Sequence, residues 1–267
     1  MPVKKKKDAV ETAHGENTAV AAPVNFEEDA GGGFENADKE SYAIPYIVIL
    51  QAQSPQCLKK DGAFVPGAEA GMFFNTATGE LYDGAEGLLV APAYYQRRFV
   101  KWGDREAGGG YKGDFAPEDL NLGAMERDDR GRYLCTDGAY LADTRYHFCI
   151  LVREGGLPQP VVFSMASSQI KKSKGWMTRM SNLKIEGQRG LYTPPTFSHL
   201  YRIVTVAESN AKGDWDGVRV TLERCLGTEP NDGLIYASAK EFREQIVAGV
   251  AKVEEPSTGD AGDDAPF

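Results

Sequence analysis

Two stretches of the chain interleave aromatic rings with cations. The run from Leu88 to Trp102 reads as one long strand, and past Pro92 it carries Tyr94, Tyr95, Arg97, Arg98, Phe99, Lys101 and Trp102. Side chains alternate along a strand. Tyr95, Arg97, Phe99 and Lys101 therefore share one face, and Tyr94, Gln96, Arg98, Val100 and Trp102 the other. Rings that stack on bases beside cations that neutralise phosphates make a platform for single-stranded nucleic acid. The same residues also admit a plainer arrangement, with rings in a core and arginines in water. Each face carries a cation, so alternation does not separate the two. The second stretch holds Lys171, Lys172, Lys174, Trp176 and Arg179. From Lys171 to Arg189 six cations accompany one acid, a local net charge of +5. That density fits phosphate neutralisation with Trp176 stacking or wedging. Its plainer counterpart is a helix with solvated lysines and a core tryptophan.

Residues 103–132 are glycine-rich and charged, and they read as a long loop. A loop of this length in a compact domain is either functional or disordered. Tyr111 and Lys112 within it are placed to close over a bound strand. Its acids, among them Asp114, Asp119 and Asp128, raise a metal-dependent nuclease. That chemistry needs carboxylates fixed within about 4 Å of a shared metal pair, which a flexible loop does not provide. Cys135, His147 and Cys149 raise zinc, but without the tight ligand pairing that zinc sites use. No P-loop, nucleophile-elbow or zinc-protease motif occurs. The expectation is a binding protein, not an enzyme, with no metal and no cofactor.

The elements that must position these residues are mostly strands. Beside Leu88–Trp102, the β-branched and aromatic runs are Tyr42–Gln51, Tyr146–Val152, Pro160–Met165, Leu200–Val206 and Gly217–Leu222. Asn75–Gly79 has hairpin-turn chemistry between Met72–Asn75 and Glu80–Tyr82, and Asn210–Asp216 is read as another turn. Ile170, Met177, Met180 and Leu183 follow helical spacing behind the potential caps Ser167 and Ser168. Tyr192–Thr196 is a stiff extended linker. Ser238–Glu241 is a capping box that opens a C-terminal helix along Phe242, Ile246 and Val250. The expected architecture is mainly β, a β-rich α+β chain. An OB-fold-like, partly open Greek-key barrel accommodates it, with extra hairpins, one basic helix and a C-terminal helix. The expected divisions are an arm (1–40), an OB-like nucleic-acid-binding domain (41–225), a helix packed on it (226–253) and an acidic tail (254–267).

Composition sets bounds on function. The formal net charge of −9 drops to −4 for residues 1–253 once the five acids after Lys252 are set aside. A global basic charge, the usual footprint of a nucleic-acid binder, is absent, so any such surface must be local. No apolar run is long enough for a membrane span, and Lys4–Lys7 lacks the apolar segment of a secretory signal. The four widely spaced cysteines fit reduced thiols in a cytoplasmic protein.

The chain ends Asp263-Asp264-Ala265-Pro266-Phe267, behind Glu254, Glu255 and Asp260. A terminal ring, a stiff proline and a free carboxylate make an end group that an apolar pocket rimmed by cations captures. This tip resembles the C terminus of bacterial single-stranded DNA-binding proteins, an acidic run followed by Ile-Pro-Phe. Asp263, Asp264, Pro266 and Phe267 match, and Ala265 replaces the isoleucine. Several phage single-stranded DNA-binding proteins end in the same manner. The stretch from Ile44-Pro45-Tyr46 through Ser54-Pro55, together with Phe73–Thr76 and Thr78–Glu80, also looks like phage proteins of replication regions. The resemblance implies sequence-tolerant single-stranded DNA binding in phage replication, recombination or repair, in the cytoplasm of an infected bacterium. It implies partner proteins recruited through the tip, and a homo-oligomer is compatible with it. A phage virion or assembly protein is the alternative.

Overall fold

A computed structural model describes residues 32–33, 35–36, 43–104, 109–153, 155–211 and 213–249. The chain divides into two units, residues 1–38 and 39–267. In the first, the backbone N–H of Gly33 donates to the Glu35 carboxylate at 3.0 Å. All but four residues of the expected arm lie outside the described residues. So does the whole acidic tail, with Asp263, Asp264, Pro266 and Phe267.

The second unit is mainly β with two helices, a β-rich α+β fold as the sequence implies. In chain order it runs β1 (Tyr46–Ile49), β2 (Phe73–Asn75), β3 (Leu81–Tyr82), β4 (Leu88–Trp102), β5 (Tyr111–Phe115), β6 (Tyr133–Leu134), β7 (Tyr140–Val152) and β8 (Gln159–Ala166). Helix α1 (Ile170–Asn182), β9 (Ile185–Gly187), β10 (Gly190–Tyr192), β11 (His199–Asn210), β12 (Gly213–Cys225) and α2 (Asp232–Val247) complete it. One sheet follows the order β12-β11-β4-β7-β8-β1-β2-β3, with β5 added beside β4 and β6 beside β7; β9 and β10 form a separate hairpin. The β1–β8 pair is parallel and every other pairing antiparallel.

The sheet curls into a half-barrel, and side chains join its far ends. Gln51, after β1, donates to the Asp216 carbonyl and accepts from the Asp216 N–H of β12, both at 2.9 Å. Thr205 of β11 donates its hydroxyl to the Gly71 carbonyl and its N–H to Gly84, both at 2.8 Å. The chain passes so closely at Gly84 that a β-carbon there would lie 1.9 Å from the Gly71 oxygen. Helix α1 covers part of the free edge of β12. Gln169, ahead of the helix, accepts from the Val218 N–H at 3.4 Å, and Arg179 donates to the Val220 carbonyl at 2.6 Å. An open edge would otherwise template pairing with another chain.

Each face of the sheet has its own core. Trp176 and Met180 of α1 pack on Val90, Cys149, Tyr201 and Val220, whereas Ile235 and Phe242 of α2 pack on Ala93, Phe148 and Leu200. A bulge in β4 between Pro92 and Tyr94 switches the alternation. Proline, lacking an N–H, is at home in such a break. Leu88 and Val90 face α1 before it; after it, Tyr94 and Val100 belong to the α2 core.

Three expectations require correction. Residues 103–132 are not one loop. β5 folds back on β4, two short 3-10 turns follow at Pro117–Asp119 and Leu122–Ala124, and Phe115, Leu120, Leu122 and Met125 pack around buried Phe99, Tyr133 and Leu141. Helix α2 starts at Asp232, six residues before the capping box. The Asp232 carboxylate is buried; it accepts N–H bonds from Gly227, Thr228 and Glu229 and a two-pronged contact from Arg224, which ties the helix start to β12. The second hairpin turns more tightly than expected, with Asn210 opposite Gly213. Trp215 therefore lies within β12 and donates to Glu208 at 3.0 Å.

Candidate nucleic-acid interface

On β4 the cations meet carboxylates. Arg97 grips Asp143 of β7 through two bonds of 3.0 and 2.8 Å, and buried Arg145 shares that carboxylate at 3.1 Å while donating to the Tyr95 hydroxyl at 2.9 Å. Arg98 pairs with Asp114 of β5 at 2.5 Å, and Lys101 with Asp137 at 2.7 Å. These hydrogen bonds hold all three cations more firmly protonated than usual. The rings are occupied as well. Phe99 is fully buried beneath Tyr133, Tyr94 leans on Phe148 at 6.0 Å, and Tyr95 lies 5.2 Å from His147. Trp102 is half-buried with its edge toward Tyr111, and Tyr111 and Lys112 are exposed on edge strand β5.

The ring-and-cation platform expected on β4 is therefore corrected. Phe99 is a core residue, and Arg97, Arg98 and Lys101 are already neutralised across the sheet. The plainer arrangement holds because β7, β5 and the turn before β7 supply an acid for each cation, which the alternation of one strand does not reveal.

Trp176 is also a core residue and not a stacking surface. It is fully buried, stacked on His147 at 4.5 Å with its edge toward Tyr201. His147 Nε2 lies 2.7 Å from the buried Ser173 hydroxyl, and burial pushes the imidazole down to a pKa of about 3, so it is neutral. Of the residues that raised zinc, His147 is committed within the core, stacked on Trp176 and beside Ser173. Among the described residues no group of three or more His, Cys, Asp or Glu side chains is placed to hold a metal ion.

The cations of α1 behave differently. Ser173, Trp176 and Met180 form its buried stripe, which turns Lys171, Lys174 and Arg179 outward. Lys172 alone is paired, with Glu208 of β11. Lys171 and Lys174 meet no carboxylate among the described residues, and Arg179 bonds only to backbone carbonyls. The ridge continues into the β9–β10 hairpin with exposed Lys184 and Arg189. Lys184 contacts the Thr193 hydroxyl. Five cations thus share a helix and the hairpin that leaves its C-terminal end. The hairpin also shows a ring where the sequence implies only an extended linker: Tyr192, at the end of β10 and 50 % exposed. Its available signal was the glycine pair Gly187 and Gly190 around a two-residue turn.

A curled, mainly β sheet decorated by two helices, one of them carrying a basic ridge, defines a β-rich α+β protein. Residues 13–252 match the family described as Pam3 phage gp34-like protein, and the chain belongs to that family. No curated protein and no solved structure matches it.

Proposed function

We propose that this phage protein binds single-stranded DNA with little sequence preference, through the ridge formed by α1 and the β9–β10 hairpin, in replication or recombination. One observation carries the reading: in a body of net negative charge, Lys171 and Lys174 stand exposed beside Arg179 with no acid among the described residues, while the cations of β4 are paired. Uncommitted cations release counterions from a polyanion, whereas paired ones must first surrender a carboxylate. The reading assigns binding alone, with no bond-making chemistry and no cofactor, and places the protein in the cytoplasm of the infected host. The tail deepens it. Asp263, Asp264, Pro266 and Phe267 recruit replication or recombination proteins, and the acids among them compete with DNA for the ridge.

Titration of labelled poly-dT at several salt concentrations tests the reading. Saturable, salt-sensitive binding is expected, and removal of residues 254–267 tightens it at low salt. A protein that packs into a virion shell shows no such binding at physiological salt, and that result rejects the proposal.

A further inference from the structure

Among the described residues, the β9–β10 hairpin pairs with no other strand. It leaves directly from the end of α1 and turns through Gln188 and Arg189, with Gly190 opposite Gly187 and Tyr192 opposite Ile185. Gly190 at φ +100° allows the short turn. The chain returns through Pro194-Pro195, and Pro195 holds an extended backbone (φ −61°, ψ 153°). The tip of the hairpin is thus held by a tight turn and a stiff return, and little conformational freedom remains to be lost on binding.

Side-chain direction sorts the hairpin into two faces. Tyr192 lies on the same face as Ile185 and Gly187. Its ring covers Gly187 so closely that a β-carbon there would be 2.9 Å from Cε1. Gly187 needs its missing side chain for this approach. Backed on one side by the strand and 50 % exposed, the ring is fixed but open. Lys184, Glu186 and Leu191 occupy the opposite face, with Leu191 73 % exposed, and Arg189 projects from the turn. The one acid of the ridge is therefore directed away from the ring.

We infer that Tyr192 stacks an unpaired base and so selects single strands over duplex, with Arg189 and the α1 lysines holding the flanking phosphates. This rests on the single-strand reading above. The charge favours a nucleic acid over other occupants, because a neutral peptide has no use for exposed cations that meet no carboxylate among the described residues. An open ring face further favours an unstacked base over a paired one.

The test uses the full chain and fluorescence anisotropy with a labelled dT oligonucleotide and a matched duplex at several salt concentrations. Tyr192→Ala is expected to weaken single-strand binding about 5- to 150-fold, with the salt slope, the duplex affinity and the melting temperature unchanged. Tyr192→Trp retains binding, and its added indole is quenched by the oligonucleotide. Gly187→Ala, which displaces the ring but keeps it, shows a loss like that of Tyr192→Ala. If the wild type binds and Lys171→Gln/Lys174→Gln flattens its salt slope, yet Tyr192→Ala binds equally well, the inference is overturned and the single-strand reading stands. If the wild type shows no saturable binding to the oligonucleotide, both fall. A Tyr192→Ala defect confined to anionic phosphatidylserine vesicles also overturns it, in favour of a membrane surface.

Discussion

The sharpest test of the ridge compares two sets of cations that look equivalent in sequence. Lys171, Lys174, Arg179, Lys184 and Arg189 face solvent without a carboxylate among the described residues. On single strands each neutralised phosphate contributes about −0.7 to the slope of log K against log salt, so five contacts give a slope of about −3.5. Raising salt from about 50 to 200 mM then weakens binding about 130-fold. Lys171→Gln/Lys174→Gln removes two contacts, brings the slope to about −2.1 and reduces that loss to about 20-fold. Arg97 is the control. Its guanidinium is bound to Asp143 at 2.8 Å with Arg145 behind it, so Arg97→Gln leaves the slope unchanged. Anisotropy titrations of labelled dT oligonucleotides at four or five salt concentrations give all three slopes. A drop in slope for Arg97→Gln as large as for the double variant refutes the division into paired and free cations. An unaltered slope in the double variant refutes the ridge.

Three further predictions concern the scaffold. Asp232→Ala leaves Arg224 without its buried partner and three backbone N–H groups without an acceptor, and urea unfolding is expected to show a loss of about 3–5 kcal/mol. His147 has a pKa of about 3 when folded against 6.5 ordinarily. The unfolded chain therefore binds the extra proton between those values, and this contribution to stability is complete above pH 6.5 and lost as pH falls toward 3. Between pH 7 and 5 the loss is about 2 kcal/mol, and the stability-versus-pH curve of His147→Gln is correspondingly flatter in urea melts. Gly84→Ala drives a β-carbon into the Gly71 carbonyl and the Thr205 hydroxyl at the seam, and calorimetry is expected to show a destabilisation of about 1–3 kcal/mol.

Period and turn chemistry made most elements legible. The β-branched and aromatic runs at Tyr146–Val152 and Pro160–Met165 lie inside β7 and β8, the Asn75–Gly79 turn joins β2 to β3, and the basic segment after Ser168 is helical. These signals are local, because a strand or helix shows its own pattern before anything packs on it. The start of α2 was not legible, because Asp232 is fixed by Arg224 from another element rather than by a nearby cap. Neither was β5, whose ordering depends on Phe99, Tyr133 and Leu141 brought from three strands.

The same division runs through the site. Sequence alone determined that charge is segregated, with +5 between Lys171 and Arg189 in a chain of net −9. It determined which residues alternate along β4. Only the tertiary structure decided which charges are spent: Asp143, Asp114 and Asp137 come to Arg97, Arg98 and Lys101 from neighbouring segments, and among the described residues no comparable acid comes to Lys171 or Lys174. Only it decided that Trp176 lies beneath α1 and Tyr192 in the open. A ring's exposure and a cation's partner are set by what other parts of the chain place beside them, and a linear pattern carries no record of those neighbours.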